Sequence, residues 1–237
     1  MKAVFFSDAH LPHNDADRIR TVKTFVRHVT EDADLVVVLG DLFDFYHGYD
    51  GYIYPFYREI IDLLRELAAS RSVYFVEGNH EFGMGSFFES YTGVRCVRTL
   101  TLNIDDKHVF LCHGDRVRSR GLHKILKSRP IFSIMDLLGP DRTWRIAMGL
   151  RRFLSRRHKL HNEKVRALFR QYGRRKLREG YDAVIVAHSH MADIARYDIN
   201  GRRATYMNTG DLVASFSYGE YTTGEGFTIQ TYDGRPS

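Results

Sequence analysis

Short runs of consecutive apolar residues recur along the chain, and each run is followed at once by polar or charged residues. The run Leu35–Val38, for example, has four bulky apolar residues in a row, which is typical of a strand covered on both faces. The pattern predicts strands at residues 3–6, 35–39, 73–76, 108–112 and 183–187.

Between the early runs, apolar residues repeat at helical spacing, which predicts helices over residues 15–30 and 56–68. The alternation of strand and helix predicts an α/β layered fold. Near the C-terminus, stretches such as "GFTIQTYDG" alternate apolar and polar residues and predict antiparallel strands. Residues 1–237 are expected to form a single domain. The predicted inward faces of the two helices are Ile19, Val22, Phe25, Val26 and Val29, and Ile60, Ile61, Leu63, Leu64 and Leu67.

Residues 116–180 differ from the rest of the chain in both pattern and charge. Their apolar residues are mostly at helical spacing, and Pro130 and Gly139-Pro140 mark helix boundaries. They contain 20 Lys and Arg against 4 Asp and Glu, an excess of +16, whereas the remainder carries an excess of −10. The sequence therefore predicts a basic helical insertion with an anionic partner.

Metal-ligand residues follow five of the predicted strands. In an open α/β sheet, the loops beyond the carboxyl ends of the strands line one crevice, so these side chains are expected to converge. Carboxylate, imidazole and amide donors without thiolates suit two divalent ions such as Mn, Fe or Zn. The motifs are "SDAH" (Asp8, His10), "GDLFD" (Asp41, Asp44), "GNHE" (Asn79, His80, Glu81), "CHGD" (His113, Asp115) and "AHSH" (His188, His190).

The spacing of these residues suggests how they are arranged. On extended backbone, Asp-x-His and His-x-His place both ligands on the same side, since side chains alternate with a period of two. A carboxylate can bridge two cations, which suits Asp41 near the middle of the set. Two ions about 3.5–4 Å apart would hold a water and clamp a phosphoryl oxygen.

The ordered set of motifs resembles the calcineurin-like metallophosphoesterases, from Asp8 to His190. The resemblance implies a layered metallophosphoesterase-type β-sandwich flanked by helices, with the basic insertion as a lid. It implies one metal held by Asp8, His10, Asp41 and His190, and a second held by Asp41, Asn79, His113 and His188. His80 would protonate or stabilise the leaving oxygen, and Glu81 would orient it. Asp44 and Asp115 would support the ligands by hydrogen bonding.

Within that superfamily, "GDLFDFY", the chain length and the helical insertion after "HGD" resemble the UDP-2,3-diacylglucosamine pyrophosphatases of lipid A synthesis. This implies cleavage of the pyrophosphate of UDP-2,3-diacylglucosamine to 2,3-diacylglucosamine 1-phosphate and UMP, with Mn as the expected metal. His80 stands where many members of that group have Arg. The residues expected to bind the anionic substrate are Asn79, Arg116, Arg118, Arg120, Arg151 and Arg152.

Two other functions remain open. A metallophosphodiesterase for nucleic acid or a cyclic nucleotide would use the same metal pair, although few aromatic residues lie among the arginines for base stacking. A non-catalytic interaction scaffold would be expected to have lost ligands that this chain retains. No apolar run reaches the roughly 20 residues that span a bilayer. We therefore expect a protein that is cytoplasmic or bound to a membrane surface. The resemblance implies a peripheral position on the cytoplasmic face of the inner membrane and an anionic lipid-linked nucleotide as the substrate, and we expect no obligate protein partner.

Overall fold

The structure, a computed structural model, describes residues 1–117, 127–154 and 163–234, and only the backbone of residues 151–154. The strands, in chain order, are β1 (Lys2–Phe6), β2 (Leu35–Val38), β3 (Ser72–Val76), β4 (Arg95–Val97), β5 (Thr99–Ile104), β6 (Lys107–Cys112), β7 (Ala183–Val186), β8 (Asp193–Ile199), β9 (Arg202–Asn208), β10 (Ser217–Thr222) and β11 (Gly226–Thr231). The α-helices are α1 (Ala16–Val29), α2 (Arg58–Ala68), α3 (Gly85–Thr92), α4 (Arg129–Leu154) and α5 (Glu163–Arg178).

The described strands form two sheets. One has the order β11-β10-β1-β2-β3-β4, in which β1 to β4 are parallel and β10 is antiparallel to β1. The other has the order β5-β6-β7-β9-β8, in which β6, β7 and β9 are parallel. Parallel strands end at the same edge of their sheet, so the loops that follow them are brought side by side.

The two sheets pack face to face around an apolar core to which both contribute, with Phe5 and Val37 from one sheet and Leu111, Ile185 and Met207 from the other. Helices α1, α2 and α3 cover the outer face of the first sheet. Helix α5 covers the outer face of the second through Phe169 and Leu177. The predicted α/β layered sandwich with flanking helices is confirmed.

The five predicted strands lie within one residue of β1, β2, β3, β6 and β7, and the predicted helices correspond to α1 and α2. Every residue of the two predicted inward faces is buried. Three strands were not predicted, namely β4, β5 and β8. Two of these, β5 and β8, are edge strands of their sheet, and β4 has only three residues at the edge of the other.

The region of the predicted insertion contains α4 and α5. Helix α4 is two helical segments that meet at Gly139, whose φ of 76° breaks the helix. Its Trp144 packs on His13 and Phe56 of the body, with ring centroids 4.2 and 5.5 Å away. The division into one domain with a lid at residues 116–180 stays a prediction. Among the described helices, none combines the length and the apolar character needed to cross a bilayer.

Candidate metal centre

The predicted ligands lie together beyond the carboxyl ends of β1, β2, β3, β6 and β7. Since these strands belong to both sheets, the site sits where the two sheets meet at one edge of the sandwich. The floor of the site is withdrawn from solvent, because Asp8, Asp41 and His113 are each at most 1% exposed, whereas His10, His80, His188 and His190 are only partly buried. Charged side chains buried to this degree need partners of opposite charge or a cation.

A first donor group consists of Asp8, His10 and His190. His190 Nε2 lies 3.2 Å from Asp8 Oδ1 and 3.3 Å from His10 Nε2. His10 Nε2 lies 3.7 Å from Asp8 Oδ1. Three donor atoms of types O, N and N at such separations can converge on one divalent ion.

A second donor group consists of Asn79, His113 and His188. His113 Nε2 lies 3.2 Å from Asn79 Oδ1 and 3.1 Å from His188 Nδ1. His113 is oriented from behind by a hydrogen bond from its Nδ1 to the Leu39 carbonyl, at 2.7 Å. That bond leaves Nε2 as the nitrogen directed at the shared space, as is usual for a metal-bound histidine.

Asp41 links the two groups. Its Oδ2 lies 3.8 Å from His10 Nε2 in the first group and 3.3 Å from His113 Nε2 in the second. The backbone N–H of His80 donates to the other oxygen of Asp41, Oδ1, at 2.9 Å. The donor set thus fits two divalent ions with Asp41 between them, and the assignment of each ligand to one ion stays a prediction.

The charge state of the site also suits cations. Burial by itself would raise the pKa values of Asp8 and Asp41, but the surrounding histidines hold both well below the usual carboxyl value. Burial would lower the pKa of His113, but Asp41 raises it to about 10. Burial and the neighbouring His113 lower the pKa of His188 to about 4. The carboxylates are therefore ionised and His188 is neutral, the forms in which these groups bind metal. His113 is protonated at neutral pH without metal, so a bound cation would displace its proton.

The backbone at the ligands differs from the expected extended conformation. Asp8, His10, Asp41, His188 and His190 all have φ between 44° and 68°, in the left-handed region that non-glycine residues rarely adopt. The premise of extended backbone was therefore wrong for both motifs. Asp8 and His10 still share the first donor group, as expected, whereas His188 belongs to the second group and His190 to the first. Strain of this kind concentrates at functional sites.

Glu81 connects two loops of the site, and its expected role in orienting His80 stays a prediction. Its buried carboxylate accepts backbone N–H groups from Asp41 and Gly78 on Oε2, at 2.9 and 2.8 Å, and from Leu42 and Phe43 on Oε1, at 3.1 and 3.4 Å. Glu81 therefore ties the loop after β2 to the loop after β3.

The contact that orients His80 comes from Asp44. The Nδ1–H of His80 donates to the backbone carbonyl of Asp44 at 2.6 Å. This leaves His80 Nε2, 3.9 Å from Asp41 Oδ2, as the nitrogen on the side of the donor groups. Asp44 thus supports the site through its main chain, and its side chain is buried.

Gly40 and Gly78 are required by the close approach of these two loops. A Cβ added to Gly40 would lie 2.5 Å from the backbone nitrogen of Gly78, and Gly40 has a φ of 80°. A Cβ on Gly78 would lie 2.3 Å from Asp41 Oδ1. Only glycine fits at both positions, which explains the Gly of "GD" and of "GNHE".

Two site residues were not predicted. Asn208 is the last residue of β9 and donates from Nδ2 to the Ala187 carbonyl at 3.2 Å and to Ser189 Oγ at 2.9 Å, holding the loop of His188 and His190. Asp211 lies with its Oδ2 3.7 Å from His190 Nδ1. The motif that could have identified Asp211 from the sequence is "NTGD", which places an Asp beyond a strand as "GD" does after β2.

The remaining predicted site residues either lie near the donor groups or fall outside the residues that the structure describes. Asp115 and Arg116 lie on the short turn that follows His113, with Asp115 half-buried and Arg116 exposed. The negative charge of Asp115 also contributes to the raised pKa of His113. Arg118 and Arg120 lie outside the described residues, as do the side chains of Arg151 and Arg152.

Comparison with known proteins agrees with the geometry. The family model of the calcineurin-like phosphoesterases matches residues 1–192. A UDP-2,3-diacylglucosamine hydrolase of Coxiella burnetii is 34% identical over 113 residues, 47% of this chain and 46% of the relative. One of Shewanella baltica is 33% identical over 119 residues, 48% of each chain. The chain spans about half the length of the curated relatives it matches.

Among solved structures, an archaeal phosphodiesterase is similar over 98% of this chain and 100% of its own, with a TM-score of 0.50 and 16% identity. At this level of identity the similarity concerns the fold. It agrees with the two-sheet sandwich and flanking helices described above.

Proposed function

The chain belongs to the calcineurin-like phosphoesterase family, and from that premise we propose that it is a two-metal hydrolase that cleaves the pyrophosphate of UDP-2,3-diacylglucosamine. The products would be UMP and 2,3-diacylglucosamine 1-phosphate. The observation that carries the proposal is the pair of donor groups that share Asp41 Oδ2.

In this proposal, Asp8, His10, Asp41 and His190 hold one divalent ion, and Asp41, Asn79, His113 and His188 hold the other. When bound, the ions neutralise phosphoryl oxygens and activate a water for in-line displacement. The metal we propose is Mn, with Fe and Zn as alternatives that the same O and N donors would accept. Asp41 fixes the spacing of the two positions, since one of its oxygens faces both groups.

His80 is proposed as the residue that acts on the leaving group. Its Nδ1–H is committed to the Asp44 carbonyl, so proton exchange is left to Nε2. The side chain is 22% exposed, the most accessible of the imidazoles that contact Asp41. As the bridging oxygen separates from phosphorus, His80 Nε2–H would donate to it. Asn79 and Arg116 would bind the anionic phosphates, and Arg118, Arg120, Arg151 and Arg152 stay predictions for the same task.

The choice of substrate is supported by the two named relatives, each similar over about half its length. It is also supported by the composition of α4. Ile134, Leu137, Ile146 and Leu150 of that helix are each at least 50% exposed, and Leu137 is 86% exposed. Arg142 and Arg145 are exposed beside them. A basic surface with accessible apolar side chains suits an anionic, acylated substrate, and it suits a peripheral position on the cytoplasmic face of the inner membrane.

The helix α4 is attached close to the donor groups. The His47 imidazole lies between the Phe82 carbonyl, at 2.6 Å from Nδ1, and Asp136 of α4, at 2.9 Å from Nε2. Tyr49 also donates to the Met135 carbonyl at 3.1 Å. Since Phe82 follows the "GNHE" loop directly, these contacts support a role for α4 in receiving the substrate.

The test is a comparison of three substrates with the Mn²⁺-supplemented full chain: UDP-2,3-diacylglucosamine, a simple aryl phosphodiester and single-stranded DNA. The proposal predicts UMP release at the highest kcat/KM from the first. His80→Ala serves as the control for contaminating activity, because it should retain the metals and lose turnover. Higher kcat/KM for DNA, falling steeply with salt, would favour a nuclease. Turnover of no substrate by a metal-loaded chain would favour a scaffold.

A further inference from the structure

The turn between β9 and β10 brings an acidic residue to the donor groups from outside the five motifs. Asp211 is only 4% exposed. Its Oδ1 accepts three consecutive backbone N–H groups, from Val213 at 2.9 Å, Ala214 at 2.6 Å and Ser215 at 3.1 Å. The carboxylate is therefore held rigidly by its own turn through one oxygen.

The turn is also fixed to the first donor group. The backbone N–H of Leu212 donates to the Asp8 carbonyl at 3.3 Å, and that of Ser217 donates to the Asp211 carbonyl at 3.1 Å. These bonds connect Asp211 to the strand that carries a predicted ligand. The position of the carboxylate relative to the site is thus set by the backbone on both sides.

The second oxygen of Asp211 faces the imidazole of His190. Oδ2 lies 3.7 Å from His190 Nδ1, the separation of an ion pair rather than of a short hydrogen bond. On the opposite side of the ring, His190 Nε2 faces Asp8 Oδ1 and His10 Nε2. His190 thus lies between a buried carboxylate and the first donor group.

We propose that Asp211 is a positioning residue that keeps the His190 proton on Nδ1 and so leaves Nε2 as the metal-binding nitrogen. A neutral imidazole carries a single proton, and a carboxylate beside Nδ1 favours the tautomer with the proton there. Partners of this kind fix ring orientation and raise the basicity of the ligand. The inference rests on the proposed function, in which His190 binds the first of two ions.

The substitution Asp211→Asn distinguishes a role in positioning His190 from a role in holding the turn together. The asparagine Oδ1 can still accept the three N–H groups of the turn, so the local fold is kept. Its amide NH2, however, would face His190 Nδ1 as a donor and would favour the tautomer with the proton on Nε2. That tautomer cannot offer Nε2 to a cation, so the substitution should act on the first ion alone.

The experiment is a calorimetric Mn²⁺ titration of the metal-free full chain, comparing wild type with Asp211→Asn. The substitution should lower the affinity for one of the two Mn²⁺ ions about 10- to 100-fold and leave the affinity for the other unchanged. Without metal, the variant should keep the far-UV circular dichroism spectrum of wild type and a single cooperative urea transition, which excludes misfolding as the cause. Asp193→Asn is the matched control: it is a buried carboxylate bonded to Arg170 at 2.8 and 2.6 Å, and its loss should leave both Mn²⁺ affinities intact.

Wild-type binding of both ions by Asp211→Asn would overturn the positioning role while leaving the proposed function standing. Fewer than two ions on wild type would instead refute the proposed function itself. A second comparison tests whether Asp211 acts through His190. In a chain that already carries His190→Gln, Asp211→Asn should cause no further loss of Mn²⁺ affinity. If the two losses are additive there, Asp211 does not act through His190.

Discussion

Replacing Glu81 with Gln tests whether one carboxylate holds the two central loops of the site together. The Glu81 oxygens accept four backbone N–H groups, two on each oxygen, from Asp41, Gly78, Leu42 and Phe43. Glutamine has a single acceptor oxygen, so its NH2 group must face two of these N–H donors. The substitution is nearly isosteric, so any change reports on the hydrogen bonds and the charge.

The magnitude follows from the number of bonds lost. Two hydrogen bonds to a charged acceptor contribute about 1.5–3 kcal/mol each, so their loss would cost about 3–6 kcal/mol. Burial and the neighbouring Asp41 carboxylate raise the pKa of Glu81, which means that removing its charge relieves some repulsion. We therefore expect Glu81→Gln to lower the free energy of unfolding of the metal-free chain by about 2–4 kcal/mol.

The assay is urea unfolding of the metal-free chain at pH 8, followed by far-UV circular dichroism. Glu77→Gln is the matched control. Its carboxylate lies on the same loop but accepts a single backbone N–H, from Met84 at 2.8 Å, and lies 3.9 Å from Arg98 Nε. Glutamine keeps one oxygen for that N–H and loses only the ion pair, so Glu77→Gln should cost about 1 kcal/mol. Equal, small losses in the two variants would refute the idea that Glu81 ties the loops together.

Three further substitutions have distinct expected outcomes. Asp41→Ala should lose both Mn ions, as counted by elemental analysis, because one carboxylate serves both positions; a variant that keeps two ions would contradict the shared ligand. His80→Ala should keep two ions and lower kcat by about 10²- to 10⁴-fold, and unchanged turnover would remove its assigned role. Gly40→Ala, with a φ of 80° and a Cβ 2.5 Å from Gly78, should be destabilised by more than about 2 kcal/mol in urea unfolding; a wild-type midpoint would contradict the close approach of the loops.

The apolar runs were sufficient to predict the central strands, because each of these strands is covered on both faces. Strand β2, for instance, has all four residues buried. The edge strand β8 could not be found in this way, since its residues are only partly covered and Arg196 and Asp198 interrupt the apolar pattern. Three-residue β4 is too short to show a period at all.

The convergence of the ligands could also be predicted, because it depends only on where parallel strands end. The direction in which each ligand side chain points could not be predicted from the sequence. It depends on left-handed backbone at residues such as Asp8 and His188, which no alternation rule anticipates. The contact of Glu81 with four N–H groups likewise depends on how two loops approach, whereas the family resemblance implied only a partner for His80.

The central claim is that the two donor groups would hold two cations with Asp41 as their shared ligand, and the most direct measurement is electron paramagnetic resonance of the full chain loaded with Mn²⁺. Two ions about 3.5–4 Å apart and bridged by a carboxylate are magnetically coupled, so the account predicts the spectrum of a coupled pair at two Mn per chain. Two uncoupled ions, or a single isolated Mn²⁺ signal at saturation, would contradict it.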